Sequence, residues 1–199
     1  VRTDRVEGFT LDRGFQVLLT AYPEALRQLD LDALALRRFE PGAVVWWRGR
    51  GHLVGDPFRR PGTLWSTATS PIGTPLDKAR IALLRRRVRS VHASRLLRGP
   101  DTSTIGALHA QRFSDRMIER FFRPLFAGIQ LDPTLSTSSR MFDVIFRSLA
   151  DGDSAVPAAG MAAIPRQLAA GMPVERVRLG SPVETVSPGS VTIRGGLTL

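Results

Sequence analysis

The chain of 199 residues has no cysteine, which excludes a disulfide framework, a thiolate metal site and a cysteine nucleophile. No apolar run approaches the ~20 residues that span a bilayer. The first residues lack the charged-then-apolar order of a secretory signal. Together these absences lead to the expectation of a cytoplasmic protein. Lysine is nearly missing as well: Lys78 is the only one among 28 basic residues, so the rest are arginine. A net charge of +10 would suit a nucleic-acid partner. The arginines are dispersed, however, and such a skew fits genome-wide codon bias better than a selected phosphate-binding surface. Arginine also pairs phosphates and fills buried ion pairs, so some of these residues could hold a cofactor pyrophosphate.

Self-contained catalytic sets are absent too. There is no GxSxG elbow and no Walker loop. His52, His92 and His109 lie far apart without metal-ligand spacing, so no metal site is expected. Asp12, Asp56, Asp132 and Asp143 are isolated, and Asp12 before a glycine turn reads as a turn-former. Gly49, Gly51 and Gly55 imitate a dinucleotide loop, but a hairpin surrounds them where that loop needs a strand before and a helix after. No catalytic residue can be named. That pattern fits an enzyme whose reactive centre is a cofactor, with the protein supplying binding, orientation and shape.

What is present is a globular composition, 43% hydrophobic and 23% charged, in a chain long enough to bury a core. Residues 6 to 19 read as extended chain broken at Gly14, and Pro23 opens a short helix. Ala43 to Trp47 and His52 to Val54 read as strands about a turn at Gly49-Arg50-Gly51. Pro57, Pro61, Pro71 and Pro75 mark an irregular stretch, functional or covering. From Leu76 the spacing of Ile81, Leu84, Val88 and Val91 predicts a helix with one apolar stripe. Lys78, Arg80, Arg85, Arg86, Arg87 and Arg89 cover much of its remainder, either as a solvated face or as a contact for an anionic surface.

A second helix is expected from Thr102-Ser103-Thr104 towards Phe122, with a possible break, and Phe113, Met117 and Phe121 repeat every four residues along it. Pro124 ends or kinks it. A third helix follows Ser136 to Ser139 and closes at Gly152, with Met141, Ile145 and Leu149 on one side and Phe142 and Phe146 beside them. The aromatic stripes read first as core; in a lipophilic-substrate enzyme some would line the cavity. Ile164 to Ala170 is a short helix, and Val174 to Leu179, Val183 to Val186 and Val191 to Arg194 are short β segments.

The order of these pieces carries a resemblance. Val1-Arg2-Thr3-Asp4 with Gly8 to Val17 resembles the stretch that follows the Gly-Gly-Arg turn in FAD-dependent amine oxidases and phytoene desaturase-like oxidoreductases. Phe121-Phe122-Arg123-Pro124 through Asp132 is similar to that family's Phe-Arg-Pro turn. Val156 to Met161 with Ile164 to Ala169 resembles its loop and helix returning to the FAD domain. Val177 to Leu179 with Val183 and Val186 resembles the strand pair reaching the adenine end of the cofactor. Ala159, Ala162 and Arg112 stand where the family often has glycine.

The resemblance implies a mixed α/β fold (α+β over these residues). Residues 1–38 and 155–199 would belong to an FAD-binding domain, and 39–154 would form a mainly helical substrate domain with a small sheet. It implies FAD as cofactor and hydride transfer from an amine or an unsaturated, lipophilic substrate. Arg2 and Thr3 would lie beside the phosphate-ribose region, Gly14, Phe15 and Gln16 along the flavin ring, and Val183 by the adenine. It further implies an internal fragment whose GxGxxG segment and C-terminal FAD segment lie outside these residues, inactive alone. The competing expectation is a non-catalytic arginine-rich module that contacts nucleic acid or an anionic membrane, the membrane through the Arg85–Arg89 helix.

Overall fold

The computed structural model describes residues 1–14, 17–196 and 198. Along the chain come β1 (Thr3–Val6), β2 (Phe9–Asp12), β3 (Leu18–Leu19), α1 (Pro23–Gln28), β4 (Leu36–Arg38), β5 (Gly42–Trp47) and β6 (Arg50–Gly55). The helices α2 (Leu64–Thr69), α3 (Pro75–Arg89), α4 (Ala93–Leu96), α5 (Thr104–Ala110) and α6 (Asp115–Met117) follow, then a π turn at Ile118–Phe122. The chain continues through α7 (Arg123–Gln130), α8 (Ser139–Asp151), β7 (Ser154–Pro157), α9 (Ala163–Ala170), β8 (Val183–Ser187) and β9 (Ser190–Ile193). Helices and strands are mixed, as expected of an α+β chain. Two compact units result, one of Val1–Arg13 with Ala159–Leu199 and one of Gly14–Ala158.

The larger unit is built on helix packing. The carboxylate of Asp77 caps α3 in a box with Thr74, each side chain taking the other's backbone N–H. Leu84 and Val88 on α3 and Phe142 and Ile145 on α8 are buried in one apolar cluster, and α3 packs along α8. Beside these helices a small antiparallel sheet has the order β3-β7-β4, with Leu18 opposite Ala155 and Leu36 opposite Pro157.

The second hairpin forms as read, but its turn is shifted by one residue. Trp47 pairs with Arg50, so Arg48 and Gly49 make the turn, both at positive φ (51° and 76°). A two-residue hairpin turn of this kind needs φ > 0 at both central positions, because its twist must match that of the strands.

The long aromatic helix is broken twice. Arg112 adopts φ 60° after α5, the left-handed region that explains why glycine would be comfortable there. Next, Pro124 has no N–H to continue an α-helical ladder, and the turn before it widens so that Arg123 N–H bonds the Ile118 carbonyl. The widened turn shifts the buried face: Ile118 and Phe122 are fully enclosed, whereas Phe121 is only half-buried. The spacing of four therefore does not make Phe121 a core residue.

The arginine-rich helix is tied to its neighbours. Arg87 makes a two-pronged pair with Asp143 (2.7 and 2.6 Å), Arg89 pairs with Asp151, and the buried Arg85 donates to the Ala150 carbonyl at 3.0 Å. Lys78 bonds the carbonyls of Ala68 and Ser70. Of that basic set, only Arg86 lacks an ion pair or hydrogen bond among the described residues. Replacing Arg87 with alanine is expected to cost no more than about 1 kcal/mol, because the pair is partly exposed. Urea midpoints at low and molar salt check this; the loss should shrink as salt screens the pair.

The smaller unit holds two hairpins and α9. Val174–Arg176 forms a 3₁₀ turn, not the start of a β segment, since Pro173 begins a tight turn in which Arg176 N–H bonds the Pro173 carbonyl. The terminal strand pair is β8 with β9, closed at Pro188-Gly189 with Gly189 at φ 79°. Among the described residues no helix is long and apolar enough to cross a membrane.

Candidate cofactor site

The first twelve residues fold back on themselves about Glu7 and Gly8, both at positive φ (49° and 84°), so β1 and β2 pair with Thr3 opposite Asp12 and Val6 opposite Phe9. Arg13 N–H bonds the Arg2 carbonyl at 2.9 Å and extends the ladder by one pair. Strand alternation then separates two sets of polar side chains onto opposite faces.

On one face Asp4 gathers two guanidinium groups. Arg2 Nε donates to its Oδ1 at 2.7 Å and Arg13 Nε to its Oδ2 at 2.6 Å. The Arg13 and then the Arg2 hydrogen bonds hold the Asp4 carboxyl below its ordinary range. The trio keeps a charge of +1, and both forks keep their terminal nitrogens in reach of solvent, the side chains being 66% and 63% exposed. This donor set fits a phosphate-bearing group, since an arginine fork matches phosphate geometry and a shared carboxylate fixes two forks side by side.

On the other face the hairpin is bolted to the turn that opens α9. The Thr3 hydroxyl donates to Asp12 Oδ1 and accepts Ala162 N–H at 3.0 Å. The same Asp12 oxygen accepts Met161 N–H at 2.9 Å. Gly160 sits at φ 85°, and a Cβ there would overlap Thr3 Oγ1 and Cγ2, so both conformation and space call for glycine. Ala162 lies at φ −64° and needs no such freedom.

The six residues expected at the cofactor fare differently. Arg2 stands exposed on Asp4. Thr3 uses its hydroxyl on both sides within the bolt, which makes it a fastener of backbone rather than a free donor. Gly14 belongs to the other compact unit and has φ 86°, a conformation that favours glycine. Phe15 and Gln16 lie outside the described residues. Val183 opens β8, exposed, opposite Ile193 on a separate hairpin. Arg2 and Thr3 are therefore brought together, on opposite faces of one strand.

Asp4, Asp12 and Gly160 were not legible as parts of a site. The missing signal was the Glu7-Gly8 turn: once it is recognised, Thr3 and Asp12 are cross-strand partners. Among the described residues no cluster of histidine and acidic side chains has metal-binding geometry.

In the larger unit a cleft of about 750 Å³ runs between the edge of β5 and the α6–α7 segment, walled by Trp46, Trp47, Phe121 and Leu125. The Arg120 guanidinium lies 3.8 Å from the centre of the Trp47 ring and bonds the Pro71 carbonyl. Of the aromatic stripe, Phe121 reaches this cleft, whereas Phe113, Phe122, Phe126 and Phe142 are closed in the core.

Curated proteins and solved structures give no significant match to this chain. A family model does: flavin-containing amine oxidoreductase, over residues 1–198. With the match running along nearly the whole sequence, the chain belongs to the flavin-containing amine oxidoreductase family.

Proposed function

We propose that the protein is an FAD-dependent oxidoreductase, of amine oxidase or phytoene desaturase-like type, taking hydride from an amine or an unsaturated, lipophilic substrate. The observation that carries this reading beyond family membership is the pair of arginine forks organised by Asp4 on the β1–β2 hairpin. In this reading residues 1–38 and 155–199 serve the cofactor and 39–154 the substrate. When bound, a flavin would supply the hydride-accepting chemistry, and binding and orientation would be the task of side chains and backbone. Arg2, oriented by Asp4, would neutralise phosphate, and Thr3 would hold its strand at the right distance. Gly14 would let backbone approach the ring, and Val183 would meet the adenine through its main chain. The aromatic part of the cleft wall, Trp46, Trp47 and Phe121, supports an apolar substrate, beside the charged Asp115, Arg116, Glu119 and Arg120 that share the lining.

The test is direct. The protein in its natural full length is expected to purify yellow or to take up FAD on reconstitution. Arg2→Gln should raise the FAD Kd roughly tenfold, the worth of one charge-assisted hydrogen bond. A folded, full-length protein that stays colourless after reconstitution would overturn the proposal.

A further inference from the structure

We infer that Asp12 is a positioning residue for the cofactor, acting through the β1 strand. The inference rests on the FAD reading above and adds to it a residue whose sequence context suggested only a turn. One carboxylate oxygen of Asp12 takes two bonds from different parts of the chain: the Thr3 hydroxyl, nine residues back, and Met161 N–H, 149 residues on. Thr3 in turn takes Ala162 N–H at 3.0 Å. Two consecutive N–H groups at the start of α9 are thereby held on the open end of the hairpin. Met161 and Ala162 form the turn just before α9, and the carboxylate and the hydroxyl satisfy their N–H groups, which no carbonyl of that turn takes up.

The geometry links this fastening to the arginines. Thr3 lies between Arg2 and Asp4 in the chain, and Asp12 precedes Arg13. The fastened pair and the cationic trio thus share the same stretch of ladder on opposite faces. Fixing the backbone at Thr3 and Asp12 fixes where the Cα atoms of Arg2, Asp4 and Arg13 stand, and so the direction of both forks. Gly160 completes the device, because only glycine lets its turn lie against Thr3. An exposed hairpin of two four-residue strands would otherwise be free to sway, since a two-stranded ribbon alone is marginal in water. The carboxylate of Asp12 itself is consumed by the bolt, which is why its role is to position and not to touch phosphate.

The test uses the full-length protein and five variants (Asp12→Ala, Thr3→Val, Thr3→Ser, Arg2→Gln and one double), with two readouts. Amide hydrogen exchange without FAD, followed over a peptide covering 159–164, reports the bolt. FAD titration by fluorescence quenching reports positioning. Asp12→Ala and Thr3→Val are each expected to speed exchange at least tenfold and to raise the FAD Kd roughly tenfold. Thr3→Ser, which keeps the hydroxyl, should stay within about twofold of wild type in both.

The deciding measurement is the double variant of Asp12→Ala with Arg2→Gln. If Asp12 works by aiming Arg2, the double variant loses little beyond the larger single loss, whereas independent effects would multiply. Faster exchange with an unchanged Kd, or multiplicative losses, overturns the positioning role. Unchanged exchange overturns the bolt itself. A wild-type protein that binds no FAD overturns the cofactor reading and the positioning role with it, and the exchange data then still report whether the bolt exists.

Discussion

Asp77→Ala is expected to destabilise the larger unit by roughly 3–5 kcal/mol, the cost of taking the shared acceptor from four donors at two helix starts. The Asp77 side chain is fully enclosed and serves two helix starts at once. It accepts Thr74 N–H and hydroxyl at 2.8 and 2.7 Å, and Ser114 N–H and hydroxyl at 2.9 and 2.6 Å. Alanine would strand those donors, and each buried unsatisfied group costs about 1–3 kcal/mol. Urea unfolding followed by tryptophan fluorescence measures the loss; a change below about 1 kcal/mol would contradict the assignment.

The same residue predicts an acid limb. Burial by itself would raise the Asp77 carboxyl, but the Ser114 and Thr74 hydrogen bonds outweigh it and bring it down to about 2 from 3.8. A depressed carboxyl contributes stability that is present above its unfolded value and lost as pH falls through its folded one. The contribution, about 2 kcal/mol, should therefore fade between pH 4 and 2, and that part of the pH dependence should be absent from Asp77→Ala.

Phe122→Ala is the second large effect, expected at roughly 3–5 kcal/mol. Its ring is enclosed and meets Phe113 at 4.8 Å and Phe142 at 5.9 Å between centroids, both nearly edge-on. These geometries favour aromatic pairs beyond the area they bury. Truncation would leave a cavity between α6–α7 and α8 that a close-packed interior closes only in part. Phe121→Ala, half-buried at the cleft, should cost about 1 kcal/mol or less. Equal losses in the two variants would show that the π turn does not divide core from cleft as described.

That contrast marks the limit of what periodicity conveys. A repeat of four places Phe113, Met117 and Phe121 on one helical face, and the reading holds for a continuous helix. Pro124 removes a donor and Arg112 takes a left-handed turn, so the face is cut and rotated between them. Helix α8 has neither interruption, yet of the expected side Met141, Ile145 and Leu149 only Ile145 is core: Leu149 is partly buried and Met141 is exposed, while beside them Phe142 is enclosed and Phe146 partly buried. The candidate site divides in the same way. Arg2 and Thr3 could be picked out from their neighbours in the chain, but Asp12 and Gly160 acquire meaning only through contacts across 9 and about 150 residues.

The amino-acid order by itself determined the local matters: a helix from about Leu76 and another after Ser136 to Ser139, the proline-forced turn, the second hairpin, and membership of a flavin-containing family. Capping, propensity and turn chemistry act over four or five residues, so they are written where they operate. Only the tertiary structure decided which arginines are tied into ion pairs and which stand free. It also decided which phenylalanines are core, and that one aspartate clamps the start of α9 to the hairpin. Those outcomes depend on which distant segments meet, and burial and hydrogen bonding across such contacts are not encoded in any single window of sequence.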